Sequence, residues 1–157
     1  MKKVPKEKDF ARSQFEAMTQ FVIEEYSLKD FDPHFTFSLD RRRVCSWGGY
    51  SHKRQRPFIN IAGHRGRTDR VYFCNEYPHY EDDPEIGTYS GSWQQTLAGT
   101  IAHEMAHAVE LFILHHHRKY SSHLKKFTAA DIEDHGGLFR SIYRSLRRKF
   151  ELCNLPK

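Results

Sequence analysis

"TIAHEMAHAVEL", Thr100 to Leu111, sets two histidines four residues apart, with a glutamate directly after the first. Successive helix residues turn by about 100°. With Leu97 placed at 0°, Ile101, Met105, Ala108, Val109 and Phe112 fall between about 20° and 120°, whereas His103 and His107 fall near about 240° and 280°. The two imidazoles share one face, nearly opposite an apolar stripe, and Glu104 lies beside the His107 side. Such a helix is expected to dock into a core by its stripe and present both imidazoles on the other side. Its start is marked by Ser92, since "SWQQ" fits a capping box, so the helix is predicted from Trp93 to about His115.

H-E-x-x-H on a helix is a zinc-site pattern. Two imidazoles one turn apart can bind one Zn²⁺ through nitrogen at about 2.0–2.1 Å. The glutamate stands aside from the ion, where it can take a proton from a bound water whose pKa falls toward about 7. The competing reading is a surface helix with two solvated histidines. A catalytic site also needs a third protein ligand and an open position. The H-E-x-x-H-x-x-G-x-x-H spacing fails, because Glu110 and Ile113 stand where Gly and His are required. His115, His116 and His117 continue the same helix and cannot fold back onto one ion; they read as a solvated helix end. His123 lies in an irregular stretch. His135, in "EDHGGLF", precedes an amphipathic helix and sits at a rigid position suited to a ligand. Glu133 is the alternative.

The flanking sequence points to a mixed α+β chain. Phe10, Phe15, Met18, Phe21, Val22 and Tyr26 predict an N-terminal helix from Asp9 to about Leu28, with residues 1–8 flexible. "FTFSL" (35–39), "RVCSW" (43–47), "PFINIA" (57–62) and "RVYFC" (70–74) are strand candidates, with Gly48-Gly49 as a turn. Residues 75–91 read as a long acidic loop. Leu138, Phe139, Ile142, Tyr143, Leu146 and Phe150 predict a last helix over about Gly137–Phe150, with Arg140, Arg144, Arg147 and Arg148 on its solvated side. Residues 9–157 form one domain in this reading.

"HEMAHA" at 103–108, followed by "DHGGLFRSIYRSLRR" at 134–148, resembles the SprT-like (Spartan-type) zinc metallopeptidase family. The resemblance implies a zincin-like fold, one Zn²⁺ held by His103, His107 and His135, and Glu104 as catalytic base. It implies peptide-bond hydrolysis, and through relatives that degrade DNA-crosslinked proteins, a DNA-associated protein substrate. "HHHRKYSSHLKKFTAAD" lengthens the gap before His135 beyond the family's usual spacing and looks like an insertion. The zinc ribbon that follows in many members has no counterpart among these residues, so its DNA-binding role is not carried over. Peptide deformylases share H-E-x-x-H but take a cysteine from an upstream motif; Cys74 in "VYFCNEY" does not match it.

The chain has 157 residues and a formal net charge of +5, which suits an anionic partner without establishing one. Arg41, Arg42, Arg43, Lys53, Arg54 and Arg56, with Trp47 and Tyr50 among them, are the candidate nucleic-acid contacts of a non-proteolytic, zinc-stabilised binding module, the rival reading. A protein without metal, its basic surface serving assembly, is a third. Three separated cysteines give neither a disulfide framework nor a four-cysteine zinc ribbon. With no signal-like apolar run and no expected membrane span, an intracellular, soluble, non-secreted chain is anticipated. Tyr89, Tyr80 and His79 are candidate oxyanion donors, Glu110 a candidate acceptor behind His107, and "PFINIA" a candidate edge for strand addition by a peptide.

Overall fold

Ala11, Phe15, Met18 and Val22 recur every three or four residues, and helix α1 forms over Lys6–Glu25 with those side chains buried. The computed structural model describes residues 6–39, 45–64, 71–74 and 83–153. Three strands follow: β1 (His34–Ser38), β2 (Trp47–Ser51) and β3 (Arg56–Ala62). They form a sheet of order β1-β3-β2, with β1 parallel and β2 antiparallel to β3. Strands β4 (Tyr72–Cys74) and β5 (Tyr89–Gly91) pair as a separate antiparallel ribbon. Helices α2 (Trp93–His115), α3 (Ser121–Leu124) and α4 (Gly137–Lys149) complete a mixed α+β architecture.

Helix α2 starts as its sequence predicts. The Ser92 side chain accepts from the Gln95 amide, and the Gln95 side chain accepts from the Ser92 amide. The helix then runs through the middle of the molecule, packed by α1, α4, β2 and β3. Its burial is therefore not one-sided. The predicted stripe is buried, but so are Ala98, Ala102, Ala106, Ile113, Glu104 and Glu110, because α4 and β2 cover the flank that the wheel left to solvent. By length and composition α2 is apolar enough to cross a membrane, contrary to expectation; 72% of its most apolar window is buried inside the fold, as befits a core helix.

Several other expectations are corrected. Gly48 and Gly49 lie within β2, and the turn falls at residues 52–55, where Gln55 takes a left-handed φ of 50°. The reason is space: a Cβ on Gly48 would stand 1.9 Å from the Glu104 carbonyl oxygen. Gly48 thus lets β2 lie directly on α2. Gly48→Ala is expected to cost about 2–3 kcal/mol, the upper part of the range for forced overpacking, visible as a lower urea midpoint. β3 is paired on both sides, so "PFINIA" is no edge; among the described residues β1 and β2 are the edges of the sheet. Residues 6–8 are helical, since Glu7 is buried and accepts the His64 amide at 2.7 Å, tying α1 to the end of β3. Within the acidic stretch, Tyr89–Gly91 forms β5, and Asp83 and Glu85 pair with Arg144 at 2.5 Å and Arg148 at 2.6 Å. Arg147 is not solvated but buried, donating to the Leu152 carbonyl at 2.8 Å and lying over the Tyr89 ring.

Candidate metal centre

His103 and His107 come from consecutive turns of α2, and His135 from the residue two before α4. Among the described residues these three form a group whose ligand atoms all lie within 4.8 Å of one another. The Nε2 atoms of His107 and His135 are 2.9 Å apart, and those of His135 and His103 are 3.3 Å apart. A tetrahedral ion with bonds of about 2.0–2.1 Å spaces its nitrogen ligands by about 3.3–3.4 Å. The donor set fits a metal by its chemistry as well. Three Nε2 atoms that face one another present converging lone pairs wherever the rings carry their protons on Nδ1. Carboxylates stand where they would favour that tautomer. Asp134 Oδ2 is 3.1 Å from His135 Nδ1, and Glu110 Oε2 is 3.9 Å from His107 Nδ1.

The position of His135 follows from local structure. Residues Ala130–Ile132 make one 3-10 turn, the Gly136 amide donates to the Glu133 carbonyl at 2.7 Å, and His135 takes a left-handed φ of 56°. That region is costly for a residue with a Cβ, and strain of this kind persists only where surrounding structure over-determines it. Here α4 does so. The Phe139 ring lies 4.4 Å from His107, 4.7 Å from His135 and 5.0 Å from His103, centroid to centroid, and Tyr143 meets His103 edge-on at 5.2 Å. Phe139 and Tyr143, four and eight residues past His135, thus form an aromatic floor under all three imidazoles. The sequence places both on the apolar face of the last helix, and the one-turn spacing that begins at His135 is the signal that ties them to the site.

Glu104 is buried beside the trio. Its Oε2 accepts the Gly48 amide at 2.6 Å, a contact that reading Gly48 as a turn had hidden. Burial pushes the Glu104 carboxyl up to about 7, with His107 and the Gly48 amide pulling it partly back. Burial, then the neighbouring His107 and His135, pushes His103 down to about 3, so this imidazole stays neutral at physiological pH.

The remaining candidates fall elsewhere. Glu133 is exposed and outside the group. His115 stacks on Tyr50 at 4.1 Å, and His123 lies against Tyr26 and Tyr120. Tyr89 is buried, its hydroxyl near the Gln95 carbonyl at 3.5 Å rather than in the site. Lys53 and Arg54 are exposed in the 52–55 turn, and Arg56 is paired with Asp32 at 2.8 Å. Arg41, Arg42, Arg43, His79 and Tyr80 lie outside the described residues.

No protein-family model, curated protein or solved structure matches the chain.

The Glu104 carboxyl gives a prediction for the metal-free protein. Its folded pKa of about 7 lies above the ordinary value of 4.5, so folding favours the protonated form. That stabilisation is fully present below the unfolded pKa and is lost as pH rises through about 7. Glu104→Gln removes the titration, while that of His103 is common to both proteins and cancels. Near pH 8, in chelator, Glu104→Gln should be more stable than wild type by about 2–3 kcal/mol, the gap narrowing toward about pH 5. Thermal melts across that range check it; a pH-independent gap would refute it.

Proposed function

We propose that the chain is a zinc metallopeptidase with a zincin-like fold, of the SprT-like kind, acting on protein or peptide substrates. The observation that carries this reading is the convergence of three Nε2 atoms, at 2.9 and 3.3 Å, beside a buried glutamate. Bound at His103, His107 and His135, one Zn²⁺ would polarise a scissile carbonyl and acidify a water. Glu104 acts as general base. With Oε2 held by the Gly48 amide, Oε1 is the oxygen that takes the water's proton and passes it to the leaving amine.

β2 supplies a place for the substrate. The Gly48 amide points away from β3 to reach Glu104, so the edge of β2 left unpaired among the described residues runs beside the catalytic carboxylate. An extended peptide added to that edge would carry its backbone past Glu104.

A second reading is a zinc-stabilised nucleic-acid-binding module without proteolysis. It is favoured by the open face of the sheet, where a cavity of about 570 Å³ is lined by residues including His34, Arg54, Arg56 and Phe58, and where Trp47 is 65% exposed. The same face would hold DNA near a peptidase whose substrates are DNA-associated proteins. Incubating the zinc-loaded chain with an unfolded protein, with and without single-stranded DNA, separates the two. Cleavage supports the peptidase. Retained zinc and DNA binding without cleavage of substrate or of the chain itself leaves the second reading.

A further inference from the structure

We propose that Glu110 is a positioning residue for the metal: a buried negative charge behind His107 that orients its imidazole and sets the affinity of the centre. This rests on the metal-site reading above. Glu110 sits three residues after His107 on α2, and its side chain is only 4% exposed. One oxygen, Oε2, is 3.9 Å from His107 Nδ1, an ion-pair distance, and the Phe139 amide donates to the carboxylate; among the described residues Oε1 is buried with no hydrogen-bond partner. A carboxylate this buried, with one oxygen unpartnered, is unfavourable unless positive charge stands close by.

The three imidazoles supply that need from the other direction. They are neutral donors, so a divalent ion among them brings two uncompensated positive charges into a half-buried site. Two carboxylates face the ring nitrogens directed away from the ion. Asp134, 3.1 Å from His135 Nδ1 and 4.0 Å from His107 Nδ1, is 80% exposed, so water and salt screen it. Glu110 is not screened in this way. Its field reaches the His107 ring through protein, where it holds the proton on Nδ1 and leaves the Nε2 lone pair for the ion. Without the ion, Glu110 costs stability; with it, Glu110 contributes binding.

The two effects have opposite signs, which makes the role testable. Zinc affinity, by competition with a chromophoric chelator, and metal-free thermal melts are measured for wild type, Glu110→Gln and Asp134→Asn. Glu110→Gln should melt at or above wild type when metal-free, yet bind zinc about 10–100-fold more weakly. Asp134→Asn should change affinity by less than about threefold. Glu110→Met, apolar and of similar length, should weaken zinc binding as Glu110→Gln does, though it loses the Phe139 amide contact, and serves if that variant does not fold. A residue needed only for packing would lower metal-free stability and leave zinc affinity within about threefold; that result overturns the proposal. A wild type that takes up no zinc overturns the site and this role together, whereas zinc uptake unchanged in both Glu110 variants overturns this role alone.

Discussion

His135→Ala is expected to weaken zinc binding by about 10²–10³-fold, because structural zinc sites gain about 10–16 kcal/mol from four ligands, or about 2.5–4 kcal/mol per ligand. The remaining pair, His103 and His107, would hold the ion from one side of α2 only. Zinc should accordingly stop raising the melting temperature at concentrations that stabilise the wild type. Backbone conformation needs a control, because His135 has a φ of 56° and alanine is disfavoured there. His135→Asn supplies it, since asparagine tolerates the left-handed region and its side-chain amide is a poor substitute for imidazole. Both variants should lose zinc while the metal-free asparagine variant keeps close to wild-type stability. Glu133→Ala should bind as the wild type does, since Glu133 is exposed and outside the histidine group. Undiminished zinc content in His135→Ala would sink the assignment.

The site was legible in the sequence where local pattern suffices. The capping box at Ser92, the length of α2 and the pairing of His103 with His107 all follow from spacings of three or four residues. His135 was reachable too, because the two glycines and the apolar helix after it mark a fixed entry point. What pattern alone could not supply is what lies across from each residue. Gly48 reads as a turn by composition, but becomes a strand residue because α2 leaves no room for a side chain on β2. The tie between Glu104 and β2 spans 56 positions and leaves no local trace. Arg147 reads as solvated because a wheel scores polarity, not partners; it caps a chain reversal at Leu152. The parallel pairing of β1 with β3 and the strand within the acidic stretch were missed for the same reason: each depends on a partner distant in sequence.

Glu104→Gln is expected to lower kcat for peptide hydrolysis by at least about 10³-fold, in the upper part of the range for loss of a general base, with zinc content and KM little changed. The substitution is nearly isosteric. The Gln carbonyl oxygen can still accept the Gly48 amide that Oε2 now accepts at 2.6 Å, so β2 and α2 should keep their relation. The three imidazoles are untouched. What is lost is basicity: an amide takes no proton from water at neutral pH and has none to give a leaving amine. Because the same group serves both transfers, the loss should appear in kcat/KM and kcat alike. Glu104→Asp is the useful companion. It keeps the charge but withdraws the carboxylate by one methylene, away from both Gly48 and the reacting water, and should fall between wild type and Gln. A Gln variant that cleaves at the wild-type rate would remove Glu104 from the chemistry and leave the zinc alone as its source. A Gln variant that loses zinc as well would instead make Glu104 part of the metal's own environment, and the Gly48 contact a support for binding rather than for proton transfer.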